Sequence, residues 1–115
     1  MSIIAAAGDG DVERKKKVLV PIADGSEEIE AVTVIDVLRR AGAEVTVCAI
    51  EDDGRTEVTC SRGVKVVADC NVKEVAGRGA PNDWDLIAVP GGEDHRNSRF
   101  LGVRGLLGLG ERGWR

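Results

Sequence analysis

The three cysteines, Cys48, Cys60 and Cys70, lack metal-ligand spacing and do not suggest a disulfide framework, which favours a reducing compartment. Aromatic residues are 3% of the chain, and the 16 Lys and Arg are outnumbered by 20 Asp and Glu, leaving a net charge of −4. There is no basic stripe interleaved with aromatics, and Trp84 and Trp114 offer no stacking platform, so the composition argues against nucleic acid as a primary partner. The apolar opening, residues 3–7, is too brief for a signal peptide core or a membrane span, and Asp9, Asp11 and Glu13 argue against an organelle transit peptide. Asp24-Gly-Ser26 supplies neither a Gly-rich phosphate loop nor a basic anchor, which makes a flavodoxin-type small-molecule binding domain the weakest of the functional readings. His95 is the single histidine, and in a polar loop it reads as solvated rather than as a catalytic base. What is left, 115 residues at 43% hydrophobic and 31% charged, is an ordinary soluble chain with room for at most one domain. The expected location is cytoplasmic, with nucleus and plastid left open.

Against these absences stands one well-patterned unit. Residues 18–23, Val-Leu-Val-Pro-Ile-Ala, form a short apolar run of the kind expected for a parallel strand covered on both faces. Asp24-Gly-Ser26 breaks it, with Ser26 as the expected N-cap and Glu27, Glu28 and Glu30 in the first turn of a helix. Carboxylates there complement the exposed N–H groups of the helix, which is a sufficient reason for them on its own. They also fall just beyond a strand's carboxyl end, where open α/β sheets place their sites. Ile29, Val32, Ile35 and Leu38 repeat at helical spacing, widened by Ala31 and Val34, before Arg39 and Arg40 in the last turn and Gly42 at the C′ position. From residue 27 to 40 the helix spans roughly 21 Å at about 1.5 Å per residue. Residues 45–50, Val-Thr-Val-Cys-Ala-Ile, resume a strand pattern, and such a strand–helix–strand predicts a right-handed crossover to a parallel neighbour.

Beyond residue 50 the pattern shortens. Residues 51–54 read as a turn, and residues 56–59 with 63–68 as a strand pair around Cys60-Ser-Arg62. Residues 71–76 read as one helical turn or two, and residues 77–82 as a loop. Residues 85–89 are the last strand, ending in Pro90-Gly91-Gly92 and facing the same sheet edge as the acids. Cys48 and Cys70 read as packing residues.

Taken together, residues 18–50 with Gly25-Ser-Glu-Glu-Ile-Glu30 and Asp36-Val-Leu-Arg-Arg-Ala-Gly42, Cys60-Ser-Arg62 and Val89-Pro-Gly-Gly92 resemble the N-terminal half of the DJ-1/PfpI family over about residues 17–92. The likeness is to bacterial and plant members of the DJ-1 branch rather than to glutamine amidotransferases. The resemblance implies a flavodoxin-like (class I glutamine amidotransferase-like) parallel sheet with flanking helices, and usually a homodimer. It also implies a cofactor-free glyoxalase or deglycase, active on dicarbonyls such as methylglyoxal and protective under oxidative stress, in which a cysteine thiolate adds to the substrate aldehyde. By the same resemblance Glu30 is the acid hydrogen-bonded to the cysteine sulfur, and Gly92 contributes a backbone N–H to the oxyanion. Glu27, Arg40 and Arg62 lie near the site or across a dimer interface, and Cys60 is an oxidation-sensitive cysteine close to that interface but not the nucleophile.

The family pattern continues past the glycine pair into a helix, a strand and an Ala-Ile-Cys-Ala-Gly-Pro-like elbow, whereas this chain turns rich in glycine and arginine and has no cysteine after Cys70. The expected organisation is therefore a flexible arm over residues 1–16, a partial domain over 17–92, and an aberrant, disordered tail over 93–115. The chain is expected to be inactive alone. The alternative is a non-catalytic interaction or regulatory piece, or a redox-responsive chaperone-like one, that pairs with a full-length relative. Without the covering elements of the other half, residues 18–23 and 85–89 are expected to leave exposed sheet edges.

Overall fold

The computed structural model describes residues 2–6, 14–76 and 84–92. Strand β1 (Ser2–Ala6) is followed by β2 (Lys17–Ile22), helix α1 (Glu28–Arg40), β3 (Glu44–Ala49), β4 (Glu57–Thr59), β5 (Lys65–Val67), β6 (Cys70–Asn71), α2 (Val72–Ala76) and β7 (Leu86–Val89). Five strands form one sheet in the order β1-β7-β2-β3-β6, and β4 and β5 make a separate antiparallel pair. The β2–α1–β3 unit is parallel, as the sequence predicts, with Lys17 opposite Glu44 and Ile22 opposite Ala49. β7 and β6 join the sheet in the same parallel sense.

Alternation along these strands divides the core between the two sides of the sheet. Val18, Val20 and Ile22 of β2 pack with Val47, Ala49 and Ala88 beneath Ala31 of α1, together with Val58, Cys60 and Ala68. Leu19, Cys48 and Ile87 face the other way, towards Val72 and Val75 of α2, with Trp84 packed against them. A strand buried on both faces needs apolar residues at successive positions, which explains the unbroken run in β2. At about 25 cal/mol per Å2, each fully buried Val, Leu or Ile side chain contributes about 1.5–3 kcal/mol.

Three expectations change. Helix α1 presents Ala31, Val34, Ile35 and Leu38 to the sheet, whereas Ile29 and Val32 are 75% and 51% exposed. The buried stripe is thus rotated from the sequence reading. Ser26 is not the cap: the N-cap is Glu27, whose side chain accepts a hydrogen bond from the Glu30 N–H at 2.9 Å. Gly42 does occupy the C′ position, with φ of +89°. Finally, residues 2–6 are not an unattached arm. They pair antiparallel with β7, Ser2 opposite Val89 and Ala6 opposite Leu86, so the edge of β7 expected to lie open is occupied. The tail beyond residue 92, with His95 and Trp114, lies outside the described residues.

Candidate functional site

The carboxyl ends of β2 and β7 and the start of α1 converge. After β2, Gly25 adopts φ of +87°, a conformation that glycine takes without Cβ strain, and its N–H donates to the Thr59 carbonyl at 2.8 Å. Ser26 is buried and closes the turn: its N–H donates to the Ala23 carbonyl at 3.0 Å, and its hydroxyl accepts from the Ala23 N–H at 2.9 Å. The Ser26 hydroxyl is turned back onto its own loop, and the cap role falls to Glu27. The Glu27 N–H donates to the Gly91 carbonyl at 2.8 Å, and Ser26 and Gly92 form an isolated antiparallel bridge.

This seam brings Glu30 and the glycine pair together, as the motif resemblance implies. A Cβ at Gly91 would fall 2.5 Å from Oε2 of Glu30, and one at Gly92 would fall 2.6 Å from the Gly25 carbonyl oxygen. Gly92 therefore needs glycine for its backbone approach to the turn, whereas a side chain at Gly91 would push the end of Glu30 aside. The Glu30 carboxyl is held below its ordinary pKa, and a hydrogen bond from the Gly91 backbone lowers it while burial opposes the shift.

Glu28 does different work. Its Oε1 accepts from the Ser61 hydroxyl at 2.9 Å, and its Oε2 from the Arg62 N–H at 2.8 Å. Burial would raise its pKa, but these bonds, with others from its own and the Val64 N–H, outweigh that and lower it. Glu28 thereby fastens the Cys60–Gly63 turn to the head of α1.

Cys60 is 4% exposed, and its thiol is pushed up first by burial and then by the carboxylates of Glu28, Glu27 and Asp24. Reactive thiols need electropositive, accessible surroundings, so the expected oxidation sensitivity of Cys60 is not supported by its environment here. Cys48 is fully buried, with its thiol raised by desolvation first and by neighbouring Cys70 second. Arg40 is not beside the site within one chain. It lies at the far end of α1 from Glu30 and pairs with Asp36 at 2.8 Å. Arg62 sits in the turn held by Glu28, with an exposed side chain.

Sequence reasoning missed the support behind this seam. Asp24 accepts from the Thr59 N–H at 2.8 Å and pairs with Arg55 at 2.6 Å. The buried Glu51 accepts from the Asp24 N–H at 2.9 Å and pairs with Arg55 at 3.1 Å, and Asn71 ties the backbone of Glu51 and Arg55 together. The available signal was Asp24-Gly directly after a buried strand, a turn whose aspartate can bind backbone. Among the described residues no group of three or more His, Cys, Asp or Glu is placed to hold a metal ion, and no helix is long and apolar enough to cross a membrane.

The model of the DJ-1/PfpI family matches residues 16–102, more than half of the chain. The chain belongs to the DJ-1/PfpI family. It is 51% identical over 80 residues to Protein DJ-1 homolog B of Arabidopsis thaliana, covering 70% of this chain and 17% of that protein. It is 38% identical over 93 residues to Protein dj-1beta of Drosophila melanogaster, covering 81% of this chain and 46% of that one. Among solved structures, Drosophila DJ-1beta superposes with a TM-score of 0.66 at 37% identity, over 83% of this chain and 47% of that one. Oxidized Toxoplasma gondii DJ-1 superposes with a TM-score of 0.59 at 53% identity, over 67% and 39%. The family's flavodoxin-like sheet is thus the fold here, and the chain spans less than half the length of these relatives.

Proposed function

We propose that this chain carries the acid and the backbone-donor turn of a cofactor-free glyoxalase or deglycase site without its thiol, and that it does not convert dicarbonyls alone. The observation that carries this reading is the fit of Gly91 beneath the Glu30 carboxylate, where any larger residue would displace the acid. In the intact site, a cysteine thiolate adds to the aldehyde carbon of a methylglyoxal-type substrate, and the carbonyl oxygen becomes an alkoxide. Glu30 orients the sulfur and moves protons, the Gly92 N–H holds the alkoxide, and rearrangement with water yields the hydroxy acid. A preorganised donor of that kind is worth about 3 kcal/mol of barrier, and a positioned acid–base group about 100-fold or more in rate. Neither acts without a nucleophile, and the environments of Cys48 and Cys60 disfavour the thiolate. The test is turnover of methylglyoxal by the 115-residue chain. No conversion above a heat-killed control is expected, and turnover abolished by Glu30→Gln would show that a substitute nucleophile exists.

A second, non-catalytic reading rests on α1. Ile29, Val32 and Val37 are 75%, 51% and 55% exposed on one helix, an apolar surface suited to pairing with a second copy or a full-length relative. Sedimentation of the chain as a dimer, and of the Ile29→Asp/Val37→Asp variant as a monomer, supports pairing with a second copy; monomers in both cases refute it.

A further inference from the structure

β1 is the one antiparallel member of the five-stranded sheet, and it lies at the edge beyond β7. In a flavodoxin-like domain the parallel strands run in the order 2-1-3-4-5. Here β3, β2 and β7 stand as strands two, one and three. The place beside β7 therefore belongs to the fourth parallel strand, and Ser2–Ala6 fills it in the opposite direction. Those residues precede the family match, which begins at residue 16, so β1 is an addition to the family domain rather than one of its strands. Its register sets Ser2 against Val89, so it also runs up to the Gly91–Gly92 turn and the site around Glu30. The pairing spans only residues 2–6 and shifts register between Ile3 and Ala5, which interrupts an already short ladder.

We propose that Ser2–Ala6 is a removable edge strand, and that when it leaves, the β7 edge accepts the fourth parallel strand of a DJ-1/PfpI domain supplied by a second polypeptide. Main-chain hydrogen bonds along β7 would supply the affinity, and the apolar neighbours Ile87 and Val89 the selection for an apolar strand. One edge cannot hold both strands, so β1 and the incoming strand compete.

The experiment uses the full 115-residue chain and its Ile3→Pro/Ala5→Pro variant, in which the substituted residues lose backbone donors and cannot hold a regular ladder. The probe is the separately produced C-terminal half of Drosophila dj-1beta. In the variant, amide exchange at residues 86–89 is expected to quicken at least tenfold while β3 stays protected, and the probe to bind at least tenfold more tightly than to the unaltered chain. A reciprocal variant, Ile3→Cys/Ala88→Cys, joins opposed residues of β1 and β7 and covers the case in which the prolines prevent folding. Once its 3–88 disulfide is verified by mass mapping, the probe should no longer bind, and reduction should restore binding. Equal probe binding by locked and reduced chains, or unchanged exchange at residues 86–89 in a folded proline variant, overturns the proposal.

Discussion

Glu28 and Glu30 leave the same turn of α1, two residues apart, and have opposite surroundings. Glu28 receives the Ser61 hydroxyl and the Arg62 N–H, partners that any carboxylate at that place would recruit to fix a turn. Glu30 instead lies over Gly91, where the chain gives up a side chain to let the acid approach the end of β7. Position at a helix start does not assign a carboxylate its task; its partners do. One is saturated by structure, and the other is set against the turn that carries the proposed oxyanion donor.

Substitution of the glycines should separate the two regions most strongly. Gly92→Ala drives a Cβ against the Gly25 carbonyl and the Ser26 backbone, which cannot swing aside, so a loss of about 1–3 kcal/mol in unfolding free energy by urea titration is expected. Gly91→Ala meets only the end of the Glu30 side chain, which can rotate away. Its stability cost should be smaller than that of Gly92→Ala, and an equal cost would mean that Glu30 is locked in place.

Removing the acids sharpens the contrast further. Glu28→Ala strips the Cys60–Gly63 turn of its anchor, so amide exchange at Arg62 and Val64 should rise and the urea midpoint should fall. Glu30→Gln should leave both nearly unchanged. Should Glu30→Gln prove the more destabilising of the two, the assignment of structural and site roles would be reversed.

The smallest effect concerns Asp85, far from both acids. Its carboxyl is lowered to about 2, first by the Arg14 guanidinium at 2.7 Å and then by the Lys17 N–H at 2.8 Å. A pKa depressed by folding contributes stability that is present above the unfolded value near 4 and lost as pH falls towards 2. The urea midpoints of the native chain and of Asp85→Asn should differ at pH 6 and converge near pH 2. A constant gap would show that the pair contributes nothing through charge.

The parallel β2–α1–β3 unit and the glycine-terminated strand were legible in the sequence because each is written in a local period or a turn residue. The rotated face of α1 was not, because Ile29 and Val32 continue the stripe of Ala31, Val34, Ile35 and Leu38 around one side of the helix, and helical spacing alone does not choose between them. Small Ala31 won the buried place beneath a close helix–sheet contact. Ser26 misled because its hydroxyl serves a turn and a helix cap equally well in sequence. β1 was invisible, since five residues of Ser-Ile-Ile-Ala-Ala pair with a strand more than eighty positions away. Of the candidate site, the placement of Glu30 and Gly92 at one sheet edge was readable, whereas the Asp24, Glu51 and Arg55 support forms only when three strand ends meet.

The most direct measurement joins residues 14–92 to the C-terminal half of a family member that carries the cysteine elbow, and compares methylglyoxal conversion by that chimera with its Glu30→Ala and Glu28→Ala variants. The expected result is a folded chimera that produces the hydroxy acid, loses at least about 100-fold in kcat on Glu30→Ala with its secondary structure intact, and loses much less on Glu28→Ala. A folded, active chimera indifferent to Glu30→Ala, or one silenced by Glu28→Ala while still folded, would contradict it.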